Sequence, residues 1–298
     1  MLRFIAVIAM VVAGPTAIAL AQTPANAGDD DEDDSLWSVT VGGGAGARPT
    51  YRGASKYKAT SMPSGVAIRG VDDRIDQAGL AFQPLVAFDY NDIIFFESGR
   101  REIGVRYLDW EDDRYGRLRG SLVGHYKNRR IEEDDDNLRG LDEISRTFFM
   151  GGRFTYDYDA FTLKTSITID VTEQADDAIR GDATLSYAWA PIRDWTFRPR
   201  IGIELGDGSY NDTFFGISAR EAGQSAAAGV GLAAYDAPAG LTAYSVGVDV
   251  DYAITKRFGV TGVATFERLA PAAADSPLVK DVGSANQFSG GVYVSYRF

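Results

Sequence analysis

The chain has one histidine, His125, and Ser121 lies on the same side of the same candidate strand. A serine activated by a histidine is the core of a hydrolase. Four residues of extended strand separate the two Cα atoms by about 13 Å, too far for direct contact. No serine sits in a Gly-x-Ser-x-Gly elbow. Cysteine is absent, which excludes thiol nucleophiles, disulfides and Cys-based zinc or iron–sulfur sites. No carboxylate pair for glycoside hydrolysis stands out among 42 acids. The sequence therefore predicts no catalytic group, no metal and no cofactor. With 30 Lys and Arg against those acids, the formal charge of −12 argues against a nucleic-acid partner.

What the charges do instead is alternate with apolar residues. Arg119, His125, Lys127, Arg129, Arg153, Lys164, Arg198, Arg200 and Arg297 fall on the polar side of successive segments. Asp170, Asp182, Glu204, Asp249, Asp251 and Glu267 fall there too. If the other side faces lipid, these groups must face a lumen, because a charge in hydrocarbon costs several kcal/mol. Two readings of such a lumen stay open: a hydrated path for polar solutes, or a salt-bridged plug.

Strands must position these groups, since the period is two. Phe161, Leu163, Thr165, Ile167, Ile169 and Val171 alternate with Thr162, Lys164, Ser166, Thr168 and Asp170. Similar patterns run through 148–156, 195–205 and 244–252. A soluble sandwich would bury the apolar faces between two sheets, whereas a membrane barrel turns them to lipid. Three features favour the barrel. Segments reach about ten residues, enough to cross a bilayer when tilted. Aromatics, among them Trp37, Tyr126, Tyr156, Tyr187, Trp189, Trp195, Tyr244, Tyr252, Phe258 and Tyr296, mark segment ends as interfacial girdles do. Short turns at 157–160, 191–194 and 255–257 alternate with long connections at 130–145, 206–240 and 270–285.

The expected fold is an all-β, antiparallel up-and-down transmembrane barrel of about twelve strands, with ten to fourteen allowed. Candidate strands lie near 36–43, 62–70, 81–90, 92–97, 102–109, 117–129, 146–157, 161–171, 180–190, 195–205, 241–254, 257–268 and 286–298. The pattern is weakest between 72 and 116. Ser218-Ala219-Arg220-Glu221 has capping-box spacing, so a short helix is expected within 206–240. The acidic run Glu132 to Asp136 reads as a solvated loop tip, or as a place for divalent cations bridging to lipopolysaccharide.

Residues 1–21 read as a secretory signal peptide: Arg3, an apolar run from Phe4 to Ala13, and Ala19-Leu20-Ala21 as the cleavage site. Residues 22–35 form a leader in which Asp29 to Asp34 carries six consecutive acids, a composition that stays solvated. The barrel itself is expected over 36–298. Mean hydropathy of −0.16 argues against a bundle of membrane helices and says nothing against a barrel. Export and amphipathic strands place the protein in the outer membrane of a Gram-negative bacterium.

At the C-terminus Phe288, Gly290, Val292, Val294, Tyr296 and Phe298 share one face. Val292, Val294, Tyr296 and the terminal Phe298 resemble the signal read by the barrel assembly machinery. Further motifs resemble the MltA-interacting protein (MipA/OmpV) family of outer-membrane proteins. They are Pro49-Thr50-Tyr51-Arg52-Gly53, Leu138-Arg139-Gly140-Leu141, Tyr210 to Ser218, Ala234-Tyr235-Asp236 with Ala239-Gly240-Leu241, Arg268-Leu269 with Ala274 to Val279, and the Tyr-Arg-Phe ending. Ala270-Pro271-Ala272 departs from the Gly-Asp pair expected there. The resemblance implies a scaffold joining a membrane-bound lytic transglycosylase to a peptidoglycan synthase, within outer-membrane lipid and lipopolysaccharide. The charged lumen suggests the alternative, a channel for small polar solutes or cationic antibiotics.

Overall fold

The structure, a computed structural model, describes residues 37–60, 85–90, 93–97, 102–127, 130–172 and 174–297. The signal peptide, the acidic leader, the candidate strand at 62–70, Arg129, Phe298 and the side chain of Arg297 lie outside the described residues.

Every pairing in the sheet is antiparallel. The wall starts with β1 (Trp37–Pro49), β2 (Tyr57–Thr60), β3 (Leu85–Tyr90), β4 (Ile94–Glu97), β5 (Glu102–Asp112), β6 (Gly116–Lys127) and β7 (Thr147–Tyr158). It continues through β8 (Phe161–Asp170), β9 (Ile179–Tyr187), β10 (Trp189–Ile192), β11 (Trp195–Gly206), β12 (Gly240–Ala253), β13 (Phe258–Leu269) and β14 (Asn286–Arg297). Strand β10 carries β9 past Ala188 and pairs with the start of β11, while β2 lies along the outer end of β1. Counting β9 with β10 and setting β2 aside, twelve strands form a ring among the described residues. The ring closes where β1 meets β14, from Thr40 opposite Arg297 to Ala47 opposite Gly290. The β1 side of that seam is rich in glycine and alanine, and the β14 side contributes Gly290 and Gly291. A Cβ on Gly291 would drive into the backbone of Ala45 and Gly46, so the close approach of the two strands requires glycine there.

The wall is apolar outside. Leu122, Met150, Phe154, Ile167, Ile201, Val246 and Val292 are exposed, while Ser121, Thr155, Ser166 and Thr168 on the alternate positions are buried. Aromatic pairs ring both ends of this apolar band. At the short-turn end Phe161 meets Tyr187 at 4.8 Å between ring centroids, and Trp195 meets Tyr252 at 4.8 Å. At the other end Tyr126 meets Phe148 at 4.6 Å, and Phe266 meets Phe288 at 4.8 Å.

The long connections at 130–146, 207–239 and 270–285 leave the end opposite the tight turns, which is the extracellular end in outer-membrane barrels. There they fold into a cap containing α1 (Gly208–Phe215), α2 (Ala219–Ala227), α3 (Pro271–Ala274) and α4 (Pro277–Lys280). Among the described residues, the largest fully buried apolar side chains gather in and just under this cap: Tyr210, Phe149, Phe215, Leu138, Ile217, Leu278 and Val279. The hydrophobic core of this barrel therefore sits in its mouth.

Ile167, 68% exposed near the middle of β8, is the most exposed of the large apolar residues described. Ile167→Arg is expected to cost about 2–4 kcal/mol in the unfolding free energy of the barrel in lipid vesicles. A urea titration showing no loss would mean that this face does not meet hydrocarbon.

Candidate functional site

The cap is joined to the wall by charge. Arg52 lies in the turn that follows β1, and that turn is pinned from three sides. Gly53, with φ +102°, donates its N–H to Gln287 Oε1 at 3.1 Å. Gln287 Nε2 donates to the Ala54 carbonyl at 3.0 Å, and Ser284 N donates to the Gly53 carbonyl at 2.8 Å. Only a residue that tolerates the left-handed region fits at Gly53, and a side chain there would strike Val279. So held, Arg52 turns toward the barrel axis. Its Nε and Nη2 donate to the two oxygens of Glu267 on β13 at 2.9 and 3.0 Å, and its Nη1 donates to Glu204 on β11. The fork geometry of guanidinium on carboxylate makes this the strong form of an ion pair.

Tyr210 reaches the same carboxylate from α1. The helix starts directly after β11 because Asp207 accepts the Tyr210 N–H at 2.8 Å as an N-cap. Its ring lies over Gly206, where any Cβ would collide with it. The Tyr210 hydroxyl donates to Glu204 Oε1 at 3.0 Å. Arg180 on β9 donates to Glu204 Oε2 at 2.9 Å and pairs with Asp182 at 3.1 Å. Glu204 thus accepts from Arg52, Arg180 and Tyr210, and these groups lie across the axis beneath the cap. Outside the strands, burial opposes the charge of Arg52, but the Glu204 and Glu267 carboxylates outweigh it and hold the guanidinium protonated. Burial together with the Glu204 charge pushes the Tyr210 hydroxyl well above its ordinary value, so it stays a donor.

The residues singled out from sequence fall into three groups. Lys127 and Glu204 belong to the network under the cap, with Glu267: Lys127 Nζ donates to the Tyr210 hydroxyl and lies 3.6 Å from the Phe214 ring centroid. A second group forms pairs lower in the wall. Arg153 bonds Glu102, Arg200 bonds Asp249 with Thr265 Oγ1 at 2.6 Å, Arg198 bonds Asp251 at 3.2 Å, and Arg119 bonds Asp157 at 2.5 Å. Lys164 is half-buried on β8. The third group has other duties. Asp170 ends β8 and accepts from Thr172 N at 2.9 Å and Ala175 N at 2.7 Å, which ties down the 171–178 connection. His125 stacks on Phe149 at 5.6 Å and has no hydrogen bond to Ser121.

On β14, Val292 is exposed, and Val294 and Tyr296 are half-buried. The 206–240 connection carries the capping box at the start of α2, where Ser218 and Glu221 exchange bonds. Glu221 Oε1 also accepts the Asp142 N–H at 2.9 Å, linking α2 to the 130–146 connection. Arg52, Arg180, Tyr210 and Glu102 were not singled out by the alternation. Arg180 and Glu102 were reachable by it, since each sits two residues from an inward position on its strand. Arg52 and Tyr210 lie in connections, where periodicity is silent.

A closed antiparallel ring with apolar outer face, paired internal charges and a capped mouth defines an outer-membrane β-barrel protein. The chain belongs to the family described as MltA-interacting protein MipA, whose model matches residues 41–298. Outer membrane protein Omp26La of Vibrio anguillarum is 28% identical over 177 residues, 51% of this chain and 65% of that protein, so the match spans less than two thirds of the relative. Solved structures that it resembles include an outer-membrane channel from Pseudomonas putida F1 (8% identity, 91% of this chain and 100% of that one, TM-score 0.40). OprD of Pseudomonas aeruginosa is another, at 13% identity, 72% of this chain and 56% of that one, with TM-score 0.35.

Replacing Arg52 by Met leaves Glu267 without its cation. The pair is 23% and 28% exposed, so a loss of about 2 kcal/mol is expected, below that of a fully buried pair. The readout is faster proteolysis of the cap in a barrel that remains heat-modifiable; an unchanged rate would show that apolar packing alone holds the cap.

Acid should loosen α2. Burial works against the Glu221 carboxylate, but hydrogen bonds from Ser218 and Asp142 outweigh it and hold its pKa below the ordinary 4.5. Its contribution is complete above 4.5 and is lost as pH falls through the depressed folded value. Glu221→Gln is expected to digest faster than wild type at pH 7 and equally fast at low pH; a gap that persists in acid would rule out this carboxylate as the cause.

Proposed function

We propose that this protein is a closed outer-membrane scaffold that recruits peptidoglycan-remodelling enzymes at its periplasmic end. The observation that supports this reading is the Arg52–Glu204–Glu267 network lying across the axis under a packed cap. A lumen crossed by paired charges and roofed by an apolar core is suited to holding a shape in the membrane. The family description supplies the partner class: a protein named for interacting with MltA, a lytic transglycosylase. A peptidoglycan synthase is the second partner in this reading, with outer-membrane lipid and lipopolysaccharide as the surroundings and the barrel assembly machinery as the route of insertion. No step of the role is catalytic, and none requires a cofactor.

A second reading, a path for small polar solutes or cationic antibiotics, has one observation in its favour. A cavity of about 890 Å³ lined by charged residues reaches from the cap down to Glu204 and Glu267. Planar-bilayer recording separates the two. The scaffold reading expects a refolded, heat-modifiable barrel that is electrically silent yet retains a lytic transglycosylase from envelope extract. Discrete conductance steps whose ion selectivity changes in Arg198→Ala/Arg200→Ala, without capture of a transglycosylase, would replace the scaffold with the channel.

A further inference from the structure

Three of the cations lining this cavity are matched by carboxylates. Arg52 has Glu204 and Glu267, Arg180 has Glu204 and Asp182, and Lys58 has Asp134 at 2.8 Å. Two others differ. Lys127, at the end of β6, and Arg130, three residues on, both line the cavity, and among the described residues neither forms an ion pair. Lys127 is held by the Tyr210 hydroxyl and the ring faces of Tyr210 and Phe214. Arg130 is buried, donates from Nη1 to the Phe214 carbonyl at 2.9 Å, and has no acceptor for Nε. Two like charges are therefore brought to one residue, Phe214, with Arg130 buried and Lys127 half-buried.

The carboxylates that could balance them are committed elsewhere. Glu204 already accepts from two guanidinium groups and a phenol. Glu221 is occupied by Ser218 and the Asp142 amide, and Asp142 by Arg220. Glu133 and Glu143 also line the cavity, and both are exposed. Burial lowers the pKa of Arg130, and Glu221, the largest opposing influence, does not restore it. Buried cations of this kind are stabilised when an anion completes them.

We propose that the cavity binds an oxyanion, a carboxylate or phosphate, between Lys127 and Arg130. The cations at that point exceed the carboxylates available to them, and the Arg130 guanidinium offers a planar donor edge suited to two oxygens. The site is independent of the scaffold reading, since it concerns the opposite end of the barrel.

Calorimetric titration of the full refolded protein, in a buffer free of oxyanions, tests it with inorganic phosphate, succinate and lipopolysaccharide in turn. Saturable binding is expected, weakened about tenfold or more in both Lys127→Gln and Arg130→Gln and unchanged in Arg193→Gln, a fully solvated turn residue. Response to phosphate or succinate assigns a dissolved solute; response to lipopolysaccharide alone assigns a lipid phosphate at the same two cations. Absence of saturable binding by wild type to all three would overturn the proposal whether or not the variants fold. Binding that persists at full strength in both folded variants would overturn it too.

Discussion

Hydrocarbon offers no hydrogen bonds, so a sheet in the outer membrane has to close on itself. Here closure depends on the contact between the first and last strands of the wall. Thr40 to Ala47 runs against Gly290 to Arg297, and the glycines on both sides let the backbones approach. Once that seam exists the faces of all the strands are fixed. A one-residue slip would put Arg198 and Arg200 into lipid and Ile201 and Ile203 into the lumen. Both the apolar belt and the internal ion pairs follow from the same register.

Inside the ring the charges are arranged by depth. Near the tight turns and through the middle, pairs such as Arg119–Asp157 and Arg198–Asp251 join neighbouring or next-neighbouring strands and satisfy the wall locally. Under the mouth the pattern changes. Arg52 comes from a connection, Tyr210 from a helix, and they meet carboxylates from β11 and β13. Removing a buried charge from its partner costs more than the pair gains over an apolar replacement, so such a network fixes geometry more than it adds stability. It sets where the cap sits.

The wall was legible because its physics is periodic. Alternation in 161–171 or 244–252 states which side chains share a face, and loop lengths state which end carries the cap. The alternation is weakest between 72 and 116, where β3 (Leu85–Tyr90) and β4 (Ile94–Glu97) are the strands described before β5. Partners were not legible. Asp170 has the inward parity of a lumen charge yet serves the loop that follows it, because parity gives direction and not neighbour. Arg52 lies within the Pro49–Gly53 motif and Tyr210 opens the 210–218 motif, so the resemblance marked both without a role. The role of Arg52 depends on a contact 215 residues away in sequence, which no local window contains, and that of Tyr210 on a strand turning into a helix within six residues, which a period of two does not encode.

That separation has a consequence for how the molecule is made. The cation of Arg52 leaves the chain soon after the first strand, while the carboxylate of Glu267 arrives near the end of the thirteenth. The two cannot meet until almost the whole circumference is in place, and loop-closure entropy opposes any earlier encounter. An unfinished barrel therefore shows its apolar roof and a lone guanidinium to the aqueous side. A finished one hides both. The mouth acts as a seal of completion, legible to any envelope protease that samples unpacked loops.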